Sequence, residues 1–381
     1  MRAARSGDNE RVKTLHLTVD VAHFETAKAG GAPGQDAVDG TALDRSALDR
    51  AAAILRAGGL VALPTETVYG LGANALDRAA VERIFAAKSR PAWDPIIVHI
   101  ASEAMLEGLV EEVPAGARRL MQHFWPGPLT LLLRRAPAVP DAVTAGRPLV
   151  GVRMPAHPVA LELIRRAGVP VAAPSANRFG HISPTTAQHV LDDLDGRIDA
   201  ILDAGPSPRG VESTVLDPST MPMVIYRPGA VTAEQIREVA GPVEIFRDGA
   251  ELSETPQEAL PSPGVGLRHY APRARLVLLE VAQFDAPLAK LGACLEEAVK
   301  NQPGEQLGVM LPEGAAAPAA IAKERVFLWG RWNDPEELAQ RLYAGLRALD
   351  AAGCTVILCP LPAAEGIGAA IRDRLKKAGT K

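Results

Sequence analysis

The chain alternates short apolar runs with longer stretches whose apolar residues recur every three to four positions, the signatures of strand and amphipathic helix. An alanine-rich helix opens at Ser46 and Asp49, which stand in capping-box fashion, and stops at Gly58-Gly59. A strand over 60–63 follows and ends at Pro64. Asp77 caps a helix over 79–87, with Val81, Ile84 and Phe85 on one face. Strands are predicted over 96–100, 129–133, 149–152, 169–172 and 198–202, with helices over 158–167 and 185–191. Segments 213–216 and 223–226 are strand-like with no helix between them, so the sheet of residues 41–245 is mixed and partly antiparallel.

Residues 248–263 are acidic and proline-bearing with little periodicity, and 246–273 reads as a linker. From 274 a new rhythm begins. Strands over 276–279, 307–310 and 355–359 alternate with helices over 288–299, from the Asp334-Pro335-Glu336-Glu337 cap to 349, and over 367–377. The predicted fold class is α/β in two parts: a twisted mixed sheet with helices over 41–245, and a smaller Rossmann-like parallel βαβ domain over 274–381. Residues 1–40, with the glycine-rich run at 30–34, read as a flexible tail.

Composition narrows the function classes. With 381 residues, 47% hydrophobic and 23% charged, the chain is long enough for two globular domains. Its net charge of −4 argues against coating nucleic acid or an anionic membrane, and leaves room for a local cationic pocket. The apolar runs are strand-length, far short of a membrane span, and residues 1–40 lack the apolar core of a secretory signal, so the expected address is cytoplasmic. Cys294, Cys354 and Cys359 lack CxxC spacing, which speaks against a disulfide framework or structural zinc.

Candidate chemistry collects where strands end. Pro64-Thr65-Glu66-Thr67-Val68-Tyr69-Gly70-Leu71-Gly72 follows a buried strand with two hydroxyls, a carboxylate and two glycines. Lys88 and Arg90, two residues apart before Pro91, could grip a polyphosphate, with Asp94 and His99 just beyond. Arg153 ends the strand Gly151-Val152-Arg153. Ala173-Pro174-Ser175-Ala176-Asn177 offers small polar groups, while Ser183-Pro184 also reads as an ordinary helix N-cap. Ser213 follows Glu212, and Arg227 sits in Tyr226-Arg227-Pro228-Gly229. Arg268-His269-Tyr270 lies between prolines at the end of the acidic linker. No Walker A loop, GxGxxG fingerprint, GxSxG elbow or metal-binding histidine cluster accompanies them.

This ordered set, PTETVYGLG, KSRP with a later HI, GVRMP, APSAN with SPT, ESTV, YRPG and SPG with RHYAP, resembles the Sua5 branch of the YrdC/Sua5 threonylcarbamoyl-AMP synthases. The resemblance is close over about 44–240, and the linker and second domain match the long Sua5 form. It implies the reaction of L-threonine, bicarbonate and ATP to threonylcarbamoyl-AMP and pyrophosphate, with Mg²⁺ accompanying ATP and no metal ligand assigned to the protein. A downstream transferase would use the product to form N6-threonylcarbamoyladenosine at position 37 of tRNA, and a weak RNA contact is left open. Around threonine the resemblance implies Thr67, His99, Arg153, Ala173 and Ser213. Around ATP it implies Arg90, Asp94, Ser175, Asn177, Ser183, Arg227, Arg268, His269 and Tyr270. Lys88 and Arg90 are the expected catalytic cations, and the second domain is expected to position the linker.

Five positions depart from the family pattern: Asp94 replaces a usual asparagine, Leu149 a common threonine, and Val265-Gly266-Leu267 a Met-Lys-Tyr. A double-stranded RNA-binding module of the same fold is the alternative, disfavoured by the net charge and by 4% aromatic content. Carbamoyl transfer in hydrogenase maturation would need zinc-finger cysteines that the chain lacks.

Overall fold

The computed structural model describes residues 13–25, 41–246, 259, 260, 262, 264, 265, 270–281 and 287–379. In the first domain these form β1 (Leu15–Thr18), α1 (Ala22–Glu25), α2 (Ala42–Arg56), β2 (Val61–Leu63), β3 (Gly70–Asn74), α3 (Arg78–Lys88) and β4 (Ile97–His99). There follow α4 (Ala115–Phe124), β5 (Leu129–Arg134), α5 (Asp141–Thr144), β6 (Leu149–Arg153), α6 (Pro158–Ala167), β7 (Val171–Ala172) and α7 (Ala187–Leu194). The domain closes with β8 (Ala200–Asp203), β9 (Thr214–Asp217), β10 (Met223–Arg227), α8 (Ala233–Ala240) and β11 (Val243–Ile245).

The eleven strands form one sheet in the order β1-β8-β2-β3-β7-β4-β6-β5-β9-β10-β11. It is mixed as predicted: β4 and β6 run parallel, while β7 is antiparallel to both β3 and β4. Leu48, Leu55, Leu163 and Ile164 of α2 and α6 bury against one side. Val81, Ile84, Leu120, Val190 and Ile236, from α3, α4, α7 and α8, fill the other. The apolar stripes of these helices thus sandwich a sheet whose central strands are apolar on both faces.

The second domain comprises β12 (Arg275–Glu280), α9 (Pro287–Lys300), β13 (Leu307–Pro312), β14 (Val326–Gly330), α10 (Pro335–Ala351), β15 (Val356–Leu361) and α11 (Ile367–Gly379). Its four strands are all parallel, in the order β12-β15-β13-β14. One apolar cluster joins Leu342, Leu346 and Ile371 of α10 and α11 to Val68, Ile182 and Val211 of the first domain and to Tyr270 of the linker. The two domains therefore share a core.

Several expectations are corrected. Leu15–Thr18 is not tail but an edge strand, pairing in parallel with β8, so the first domain begins well before 41. Helix α2 starts five residues earlier than expected. Its capping box is Thr41 with Asp44, whose carboxylate accepts from the Thr41 amide, rather than Ser46 with Asp49. Helix α7 is capped by Thr186, so Ser183 is not its N-cap. Gly70–Asn74 forms a strand that is not among those expected, and glycine at 72 lets it pack closely: a Cβ there would stand 2.9 Å from Val171. The run at 30–34 and most of 246–269 lie outside the described residues.

Gly210 shows how tightly the domains meet. Its φ is +70°, and an added Cβ would lie 2.3 Å from the Ala339 carbonyl oxygen of α10. Gly168 has a similar φ of +67° with open space around it. Gly168→Ala is therefore expected to cost only the left-handed backbone penalty, about 1–2 kcal/mol. Gly210→Ala adds an overpacking cost of about 1–3 kcal/mol to that penalty. Chemical denaturation of both variants checks this; equal losses would contradict the close approach.

Candidate active site

The strand order brings the ends of β2, β4, β6, β7 and β9 around one cavity, open to solvent at its mouth. The loop between β2 and β3 supplies its first wall. The Thr65 hydroxyl donates to the Val68 carbonyl at 2.6 Å and lies 2.9 Å from the Thr67 hydroxyl, a local turn that fixes both. The register of β4 on β6 sets His99 opposite Arg153.

Arg153 is buried and fully engaged on one side. Its guanidinium lies 2.6 Å from the Glu66 carboxylate and donates to the Thr67 hydroxyl at 3.1 Å and the Gly127 carbonyl at 3.3 Å. Burial alone would raise the Glu66 pKa, but the Arg153 charge and hydrogen bond hold it below the usual carboxylate value. Burial, and next the Arg153 charge, push the His99 imidazole down to about 3, so it is neutral near pH 7. Ala173 and Pro174 at the end of β7 complete this half of the cavity.

The other half is cationic. Arg90 donates through Nη2 to the Pro95 carbonyl at 2.7 Å and pairs with the Asp94 carboxylate at 2.9 Å. Arg227, at the end of β10, donates to the Ser213 carbonyl and to its hydroxyl, both at 3.1 Å. Ser213 is also 2.8 Å from the Thr130 hydroxyl, so its side chain is fixed from two sides. Ser175, Gly264 and Tyr270 line the same half. Gly264 is obligatory there: its φ is +78°, and a Cβ would stand 2.8 Å from Arg227 and 3.0 Å from the Tyr270 hydroxyl.

Nine of the expected site residues line this one cavity: Thr67, Arg90, His99, Arg153, Ala173, Ser175, Ser213, Arg227 and Tyr270. Four lie behind its wall. Lys88 is buried and donates from Nζ to the Ser175 carbonyl at 2.6 Å and to the Asn177 carbonyl. Burial, then the nearby Arg90 charge, drive its pKa well below the usual lysine value. Asn177 donates to the Arg178 and His181 carbonyls, both at 2.8 Å, and Ser183 donates to Glu212 at 2.7 Å. Asp94 is drawn against Arg90. Arg268 and His269 lie outside the described residues.

The structure adds Thr65 and Glu212 to the lining, and Glu66 as the partner of Arg153. Both acids sit in motifs already singled out, but the arginines that make them informative lie far along the chain. Among the described residues no group of three or more His, Cys, Asp and Glu could hold a metal ion, and no helix is long and apolar enough to cross a membrane. What the cavity offers is a fixed arginine with hydroxyls and a neutral imidazole at one end, and two buried arginines at the other. That arrangement suits a small carboxylate-bearing molecule beside a polyanion.

Known proteins share this architecture. A model for the Sua5, YciO and YrdC proteins, described as "Telomere recombination", matches residues 53–229. A second, described as "Threonylcarbamoyl-AMP synthase, C-terminal domain", matches 231–380. The chain is 44% identical over 330 residues to the threonylcarbamoyl-AMP synthase of Pyrococcus abyssi, covering 86% of this chain and 92% of that one. It is 43% identical over 347 residues to the threonylcarbamoyl-AMP synthase of Bacillus subtilis, covering 90% and 96%. The crystal structure of P. abyssi Sua5 complexed with L-threonine superposes with a TM-score of 0.81 at 39% identity, covering 96% of this chain and 98% of that one. A cavity built at these strand ends, carried on both matched domains, makes the chain a member of the Sua5/YrdC family in its two-domain form.

Proposed function

We propose that the protein is a threonylcarbamoyl-AMP synthase, condensing L-threonine, bicarbonate and ATP to threonylcarbamoyl-AMP with release of pyrophosphate. The observation that carries this reading is the division of one cavity into an Arg153 end and an Arg90/Arg227 end. Arg153 presents its guanidinium beside Thr67, a geometry that suits the carboxylate of an amino acid, and the related P. abyssi protein is one that has been crystallised with L-threonine. His99 and the backbone at Ala173 flank the same end.

The chemistry needs positioning and charge compensation more than a covalent nucleophile. The threonine amine takes up carbon from bicarbonate with loss of water, giving an N-carboxylate. A carboxylate oxygen then attacks the α-phosphorus of ATP, and the bond to pyrophosphate breaks. Negative charge gathers on phosphoryl oxygens, where Arg90 and Arg227 counter it and Ser175 donates a hydrogen bond. Mg²⁺ enters as part of the ATP substrate. Asp94, the acid nearest these cations, is paired with Arg90. Lys88 acts from behind, holding the Ser175 carbonyl. The product would pass to a transferase that acts on tRNA.

The reading is tested by supplying ATP, Mg²⁺, L-threonine and bicarbonate, omitting each in turn, and following pyrophosphate and nucleotide products by mass spectrometry. Product that requires both threonine and bicarbonate supports it; a folded protein with no product refutes it.

Arg90→Ala is expected to lower kcat roughly 10²–10³-fold, the scale of one preorganised contact to a charged transition state. Lys88→Ala, which releases the Ser175 loop, is expected to lower kcat with the fold retained. Arg153→Ala should instead raise the threonine KM by about 10- to 100-fold, the loss of a charge-assisted contact, with the ATP KM little changed. Initial-rate kinetics against each substrate separate the cases, and a normal threonine KM would remove Arg153 from its role.

Folding also registers the neutral His99. An unfolded chain protonates this histidine near its ordinary value of 6.5, whereas the folded site refuses the proton until about pH 3. Stability from this group is thus intact above pH 6.5 and declines as pH falls through that window, by up to about 1.4 kcal/mol per unit. His99→Gln removes this contribution, so its unfolding free energy between pH 6 and 4 should fall less steeply than that of the wild type. Identical slopes in urea titrations would contradict the assignment.

A further inference from the structure

The second domain reaches into the cavity wall through three side chains. Tyr343 of α10 donates to both Glu212 oxygens, at 2.9 and 3.1 Å. Arg374 of α11 donates to Glu212 at 2.7 Å and to the Pro228 carbonyl at 2.9 Å, directly after Arg227. Lys377, one turn on, donates to the Gly264 carbonyl at 2.6 Å. The Tyr270 ring stacks on Tyr343 with centroids 5.8 Å apart, and the Arg374 guanidinium lies 5.2 Å over its face. Tyr270 itself has a φ of +64°, a conformation that a tyrosine keeps only when its surroundings impose it.

We propose that Arg374, Tyr343 and Lys377 are positioning residues, through which the second domain holds Gly264 and Tyr270 of the linker against Arg227 at the nucleotide end of the cavity. None of the three lines the cavity. Each acts through a residue that does: Tyr343 and Arg374 through Glu212 and Tyr270, and Lys377 through Gly264. Among the described residues the threonine end meets the second domain through the apolar side chain of Val68, while the polar contacts of Arg153 and Thr67 and the strand pairing of His99 are with first-domain residues. The second domain therefore tunes one substrate and not the other. The identification of that substrate as ATP rests on the proposed synthase activity, whereas the mechanical tie does not.

Lys377→Met and Tyr343→Phe test the proposal in the full chain. The first removes the bond to Gly264 and the second a single hydroxyl, leaving the aromatic stack. Hydrogen exchange is followed at the amides of Leu260 and Ala271, which donate to the Trp93 and Gly180 carbonyls on either side of the tie, with Val309 of β13 as the internal reference. Expected in Lys377→Met is exchange at both amides about tenfold faster, the scale of one lost hydrogen bond, with Val309 unchanged. The ATP KM should rise about tenfold for the same reason, while the threonine KM stays within twofold. Tyr343→Phe should move in the same direction. Unchanged exchange overturns the tie whatever the kinetics. Faster exchange with both KM values unchanged, or with both raised together, overturns the selective positioning. If the wild type makes no product, the synthase reading fails separately, and calorimetric ATP affinity replaces KM in the same comparison.

Discussion

A carboxylate taken out of water stays charged only if cations and donors meet it, and Glu212 satisfies that constraint with groups from both halves of the chain. Ser183 reaches it from the first domain, Tyr343 and Arg374 from the second. Its neighbour Ser213 is the residue on which Arg227 folds down. The cavity's Arg90/Arg227 end, the linker above it and the domain interface below it are therefore one hydrogen-bonded unit. Hydrophobic residues of the same volume could make such an interface equally stable. What they could not do is fix a guanidinium and a hydroxyl at set points beside a cavity.

Glu66 and Arg153 repeat the device at the other end on a smaller scale. There the sheet register does the placing, since His99 and Arg153 are partners across parallel strands and the β2–β3 loop closes over them. The two ends thus differ in origin. One is set by backbone pairing within a single sheet, the other by side chains converging from separate domains. Binding sites at the strand ends of α/β sheets commonly exploit the first solution; the second makes the site depend on domain docking.

Much of this was legible in the sequence because the relevant signals are local. Apolar periodicity located most strands of both domains, and the family resemblance carried by the motifs at strand ends named nine residues that line the cavity. The failures are equally physical. β1 is short and half exposed, and it is placed by pairing with β8 and by Leu17 packing into the α2–α6 cluster, so nothing within Leu15–Thr18 announces it. Ser183 looked like a cap because Ser-Pro is a good local start, but a buried carboxylate 29 residues away claims its hydroxyl. Tyr343, Arg374 and Lys377 read as ordinary helix residues, since their partners lie more than a hundred residues away.

Lys88 has a chemical consequence of its own. Burial and the nearby Arg90 charge favour the uncharged form of this amine, the form that carbon dioxide and bicarbonate convert to a carbamate, and it sits within the shell of a cavity proposed to carbamoylate the amine of threonine. The enzyme's own lysine would be a rival substrate. Its nitrogen is instead sealed at 1% exposure, with its hydrogens directed at the carbonyls of Ser175 and Asn177, so that no approach is left for the carbon electrophile. The contacts that brace the loop also spare the protein from self-modification by its own chemistry.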